Sequence, residues 1–213
     1  MFEDIVQEKE QEKIFYISDL HLGHQNILRF DNRPFSSLEE MENVMVEKWN
    51  SRVTDKDFVY IIGDFIWGKD SGWPEKVSKF KGKKILIRGN HDPKQLSKAT
   101  RKLFYDAKDY MEIRDNYRNV ILCHYPIMFY RHSFNLNQYM LCGHVHITKE
   151  NELLEKWTDE LRDCAAKNRE APQGNIYNVG CMMPWMEYEP KTLDEIIAGY
   201  VRYKASKGIV PEC

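Results

Sequence analysis

IFYISDLHLGH, residues 14–24, joins an apolar run of four residues to Asp19, His21 and His24. The run reads as a buried strand, and the polar residues fall just past its end, where the chain must turn. The arrangement recurs along the chain. FVYII (58–62) leads through Gly63 to Asp64, and ILI (85–87) leads through Arg88 and Gly89 to Asn90, His91 and Asp92. VILC (120–123) leads to His124, and YMLC (139–142) leads through Gly143 to His144 and His146. In an open α/β sheet, ligands bind in the crevice outside the carboxyl ends of the strands, so strand ends of this kind converge on one rim.

Each motif alone has an ordinary structural reading. A histidine after a strand serves as a hydrogen-bonded structural residue, and GD or GNHD serves as a turn, because Gly, Asn and Asp dominate turns for conformational reasons. Repetition at successive strand ends, with ligand-type side chains each time, selects a shared metal site instead. Of the histidines, only His132 lies outside these strings, where loop or surface packing accounts for it.

Between the strands the pattern is helical. Ser37-Leu38-Glu39-Glu40 reads as a capping box opening a helix with Leu38, Met41, Met45 and Trp49 on one face. Thr192-Leu193-Asp194-Glu195 opens another, with Leu193, Ile197, Tyr200 and Val201 as its stripe. Strands alternating with amphipathic helices predict an α/β layered fold. No repeat, low-complexity linker or composition shift divides the 213 residues, so residues 1–213 read as a single domain. Residues 147–174 form a charged, helix-compatible stretch with Leu153, Leu154, Trp157, Leu161, Cys164 and Ala165 as an apolar stripe. It reads as a cap over the rim, a subunit contact, or a helix packed on the sheet. NVGCMMPW (178–185) returns toward the rim, to shape a pocket or fill the core.

The ordered series Asp-x-His, Gly-Asp, Gly-Asn-His-Asp, His and Gly-His-x-His, spanning residues 19–146, resembles the calcineurin-like metallophosphoesterase superfamily. The resemblance implies a four-layer α/β/β/α sandwich and a binuclear, metal-dependent phosphoesterase. It implies that Asp19, His21 and His146 hold one metal and Asn90, His124 and His144 the other, with Asp64 bridging. One carboxylate oxygen for each cation suits the ~3.5–4 Å spacing of two-metal hydrolases. The ligand set is imidazole, carboxylate and amide, which suits Mn, Fe, Zn, Ni or Co over purely oxygen-ligated Mg or Ca. In the implied mechanism a hydroxide between the metals attacks phosphorus. His91 then protonates the leaving oxygen, and Asp92 orients its ring. His24, extra to the ligand set, is expected to face the substrate phosphate.

A net charge of −2 gives no global basic field, so a small phosphorylated substrate, as a monoester or diester, is expected ahead of nucleic acid. A nuclease remains one alternative; a non-catalytic metal-binding interaction scaffold of the same fold is another. The five cysteines are odd in number and lack the spacing of a secreted disulfide framework. The N-terminal stretch is polar and acidic, and no run approaches the ~20 apolar residues that span a bilayer. A cytoplasmic protein without membrane contact is expected, its oligomeric state open.

Overall fold

The apolar runs that precede the motifs are strands, and they divide between two sheets. The computed structural model describes residues 11–208; the stretch 1–10 and Cys213 lie outside them. Strands β1 (Ile14–Ile17), β2 (Phe58–Ile62), β3 (Lys83–Ile87) and β4 (Asp106–Lys108) follow one another in the first sheet, every pair parallel. Strands β5 (Tyr110–Asp115), β6 (Arg118–Cys123), β7 (Gln138–Cys142) and β8 (Ile176–Asn178) form the second. There β5 pairs antiparallel with β6, and the other pairs are parallel. The connections contain helices α1 (Ile27–Phe30), α2 (Leu38–Arg52), α3 (Trp73–Val77), α4 (Lys98–Arg101) and α5 (Lys149–Lys167), and α6 (Leu193–Ser206) follows the last strand.

Side-chain alternation shows how the layers stack. Val120, Leu122, Leu141 and Tyr177 turn inward to the main core, while Ile121, Met140, Cys142 and Ile176 turn outward to a second cluster completed by Leu154 of α5. On the other side α2 buries Met41, Met45 and Trp49 in the main core. A buried hydrogen bond from the Tyr16 hydroxyl to Asp115 Oδ2, at 3.0 Å, ties the first sheet to the second. The order is helix, sheet, sheet, helix, as expected for an α/β/β/α sandwich. Cys181, Met182, Met183, Trp185 and Met186 are buried in the core, so the NVGCMMPW string is mainly filling.

The helices depart from the sequence reading in detail. At α2 the Ser37 side chain accepts from Glu40 N, but the Glu40 carboxylate turns to Ser36 N at 2.7 Å, so only half of the expected box forms. The box of Thr192 and Glu195 forms completely. Along α6 the buried face is Leu193, Ile196 and Tyr200, with Ile197 half-buried against the core at its side and Val201 outside it. Those two stand one residue, about 100°, further round the helix, and Val201 is exposed. Along α5 the buried residues are Asn151, Leu154 and Thr158, whereas Leu153, Trp157 and Cys164 are exposed. Two polar residues lie on the buried face because each finds a partner: Asn151 Oδ1 accepts from Asn178 at 3.0 Å, and Thr158 Oγ1 donates to Leu154 O at 2.7 Å. Through Leu154 and Leu161, α5 rests on the outer face of the second sheet.

Candidate metal centre

The motif loops leave the carboxyl ends of β1, β2, β3, β6 and β7 and meet at one rim. The first two loops continue the pairing of their strands: Asp19 N donates to Gly63 O and His21 N to Asp64 O, each at 3.0 Å. Asp19, His21, Asp64, His144 and His146 all have left-handed backbones, with φ of 56°, 52°, 52°, 72° and 41°. Non-glycine residues hold such angles only where the surroundings impose them, and such strain gathers at functional sites. Part of that constraint is Arg33, a buried guanidinium whose Nη2 donates to Asp19 O at 2.8 Å and Nη1 to Leu20 O at 2.9 Å. Close approach of the loops also requires particular glycines. A methyl on Gly89 would strike the Asp64 carboxylate, and one on Gly143 would strike that of Asp19.

The expected ligand atoms converge. Asp64 Oδ2 lies 3.5 Å from His21 Nε2 and 3.5 Å from His124 Nε2. His146 Nε2 lies 3.3 Å from His21 Nε2 and 3.4 Å from Asp19 Oδ1. Asn90 Oδ1 stands 3.1 Å from His124 Nε2 and 2.9 Å from His144 Nδ1. Two groups, Asp19 with His21 and His146, and Asp19 with Asp64 and His124, have ligand atoms within 4.8 Å of one another. Asp19 thus belongs to both groups, a breadth the sequence did not suggest. The set fits a divalent transition-metal ion: carboxylates and imidazoles crowd their lone pairs into one volume, and a cation is what such a set satisfies.

The same crowding sets the electrostatics. Burial disfavours the Asp19 anion, but the hydrogen bond and charge of His146, with His124 and His21, outweigh it and hold the carboxyl well below its usual range. Burial likewise opposes ionisation of Asp64, and its bond with His124 reverses the direction. Burial presses His21 down to about 3 despite Asp19 and Asp64. Burial pulls on His146 too, yet Asp19 and Asp31 raise it to about 10. His124, buried as well, is raised to about 9 by Asp64 and Asp19.

Two further expected residues make contacts of their own. The Asp92 carboxylate does not face the His91 ring. It accepts from Asp64 N at 2.9 Å, Gly89 N at 2.8 Å and Phe65 N at 3.0 Å, fastening the GNHD loop to the GD loop. Burial raises its pKa to about 6. The His91 ring is 39% exposed and packs beside Trp67, centroids 4.6 Å apart, with Nε2 4.0 Å from Asp64 Oδ2. His24 lies flat against Trp67, at 3.9 Å and 9°, and its Nδ1 is buried without a hydrogen-bond partner among the described residues. Its observed partner is the Trp67 ring. His132 is exposed beside Phe134, outside the rim.

Asp31 was not legible as a site residue. Its Oδ1 meets His146 Nδ1 at 2.7 Å, and its Oδ2 accepts from Arg33 Nη2 at 2.8 Å. Next to the Asn90 side, a cavity of about 570 Å³ is lined by Arg88, Lys94, Cys123, His124 and Tyr125 among others. A second cavity, of about 480 Å³ and lined by Arg52, Asp57 and Asp115, contains none of the motif residues.

Comparison with known proteins agrees with this geometry. The calcineurin-like phosphoesterase family pattern matches residues 12–176. Uncharacterized protein MJ1445 of Methanocaldococcus jannaschii is 34% identical over 142 residues, 66% of this chain and 73% of that protein. The Gene 66 protein of Mycobacterium phage L5 is 33% identical over 96 residues, 42% of this chain and 44% of the phage protein. A solved structure, the protein of unknown function AQ665 from Aquifex aeolicus, superposes with a TM-score of 0.61 at 25% identity, covering 88% of this chain and 99% of that one. With the family pattern reaching from the first strand into the last, across every motif on the rim, the chain belongs to the calcineurin-like phosphoesterase family.

Proposed function

We propose that the chain hydrolyses phosphoesters at a centre of two divalent transition-metal ions. Asp19, His21 and His146 hold one, Asn90, His124 and His144 the other, and Asp64 serves both. The observation that carries this reading is the position of Asp64 Oδ2, 3.5 Å from a ring nitrogen on each side. Ions there, drawn from Mn, Fe, Zn, Ni and Co, supply a water activated at neutral pH and offset charge on the phosphoryl oxygens. The chain's own residues do the rest. Asp31 and Arg33 hold the first group in shape, and His91 protonates the leaving oxygen. Its exposed ring beside the centre can meet a substrate.

The substrate class is a small phosphate ester, with a net charge of −2 against a polyanion-binding surface. No described helix is long and apolar enough to cross a membrane. We assign the protein to the cytoplasm, a reading supported by the free thiols of Cys142 and Cys181 in the core.

Hydrolysis of p-nitrophenyl phosphate and bis-(p-nitrophenyl) phosphate, with Mn²⁺ added, tests the reading. Turnover of either ester, reduced roughly 10²- to 10⁴-fold in His91→Ala at unchanged metal content, is the expected result on the usual scale of general acid catalysis. The preferred ester separates a monoesterase from a diesterase. Metal binding with no turnover of either ester overturns the enzyme reading in favour of an interaction scaffold, and full activity in His91→Ala overturns the role of that residue.

A further inference from the structure

Beside the His91 edge of the metal rim, aromatic rings are stacked in a way that the hydrolytic reading leaves unexplained. Trp67 lies parallel on His24, with centroids 3.9 Å apart and planes within 9°. Phe30 meets His24 edge-on at 5.9 Å, and His91 meets Trp67 at 4.6 Å. The assembly is not an accident of mobile side chains. Leu22 and Ile66 form a parallel bridge that extends the β1–β2 pairing, and Trp67 N donates to Leu22 O at 2.8 Å. The loops that carry the two rings are therefore fastened to each other and to the sheet. His24 Nδ1 has no hydrogen-bond partner among the described residues, and the contact the ring makes here is through its face.

What this arrangement leaves in solvent is informative. Trp67 is 40% exposed and Phe30 63% exposed, and Trp67 lies against His91, the proton donor of the proposed reaction. Contiguous apolar surface left exposed beside convergent polar groups is the kind that marks a ligand contact. A rigid indole backed by a second ring favours planar partners over saturated ones of equal size, because stacking requires a flat π face. We propose that Trp67, backed by His24 and flanked by Phe30, binds a planar ring carried on the leaving-group side of the substrate. The class is phosphate esters bearing an aryl group or a nucleobase. This specificity rests on the phosphoesterase reading above, and it adds a subsite that the metal ligands do not provide.

The test uses hydrolysis-resistant ligands, so its readout is binding. Benzylphosphonate and cyclohexylmethylphosphonate share a linker and a six-membered ring, which is planar only in the first. Calorimetric titration of the Mn²⁺-loaded protein should give benzylphosphonate an advantage of about tenfold, on the scale of aromatic stacking. Trp67→Leu should remove the advantage, and Trp67→Phe should keep most of it. A parallel titration with the hydrolysis-resistant 5′-methylenephosphonate analogues of adenosine 5′-monophosphate and of ribose 5-phosphate separates a nucleobase from a simple aryl ring as the preferred group. Equal affinities for the phosphonates, an advantage that survives in Trp67→Leu, or no binding of either phosphonate each overturns the subsite. The phosphoesterase reading stands or falls separately, on turnover of the nitrophenyl esters.

Discussion

His146 turns its Nδ1 to the Asp31 carboxylate at 2.7 Å, leaving Nε2 as the ring atom that faces Asp19 and His21. A carboxylate in that position fixes the tautomer of a ligating imidazole and raises its basicity, and loss of such a partner typically weakens metal binding about 10- to 100-fold. Asp31→Asn keeps the shape and leaves Arg33 bonded to the carbonyls of Asp19 and Leu20. The variant should therefore fold, yet hold its metal roughly 10- to 100-fold more weakly by calorimetric titration. Unchanged affinity would mean that the ring is oriented by its ligand contacts alone.

Asp64 is the residue whose removal should reach both sides of the rim, since its Oδ2 is equidistant from His21 and His124. Its Oδ1 also accepts from His91 N at 2.9 Å, so the change must keep that acceptor. Asp64→Asn does so while removing the charge between two cations. Elemental analysis of the purified variant should find metal lost from both positions. Retention of two ions per chain would contradict the bridging role.

Asp92 should behave as a structural residue. Three backbone N–H groups depend on its carboxylate. Replacement by Ala leaves those donors buried without a partner, each costing about 1–3 kcal/mol if water does not reach it. Asp92→Ala should lower the melting temperature by many degrees, and reduced activity should follow the loss of folded protein. A normal melting temperature with a collapsed turnover rate would restore the ring-orienting role that the sequence suggested.

The legible parts of this molecule are those where local sequence and tertiary position agree. An apolar run followed by ligand residues announces each of the motif-bearing strand ends, because a strand buried on both faces must be continuously apolar. Strand β5 escaped notice because YMEIRD alternates exposed and half-buried residues at a sheet edge and is rich in charge. Asp31 escaped for a different reason. It lies in FDNRPF, which reads as a turn, and its partner His146 is 115 residues away, so only the folded chain makes it a site residue. His24 and Trp67 share the same blindness: the stack between them exists only because the β1 and β2 loops run side by side. The α5 stripe misleads because size and apolarity do not by themselves decide burial. Trp157 is exposed, while the polar Asn151 sits inside because Asn178 meets it there.

Proton release should accompany metal binding, and its pH range follows from the two raised histidines. In the ion-free chain, burial opposes charge on His124 and His146, but Asp64 and Asp19 lift the first to about 9, and Asp19 with Asp31 lifts the second to about 10. Both imidazoles are then protonated at neutral pH, whereas His21, pressed down to about 3, is not. An ordinary histidine in the unfolded chain titrates near ~6.5. The native state therefore binds more protons than the unfolded state between that value and the raised ones. The stabilisation is complete below about pH 6.5 and is lost as pH rises through about 9 and then about 10. A metal ion needs the neutral rings, so it competes with these protons, and its apparent affinity should rise across the same range. Two measurements check this. The ion-free protein should melt at progressively lower temperature from neutral pH to pH 10, while the loaded protein should not. Calorimetry at pH 7 in buffers of different ionisation heat should register about two protons released on loading, one from each ring. Release of none, together with melting that ignores pH, would mean that both rings are already neutral in the folded chain and that the carboxylates around them do not hold charge as the geometry implies.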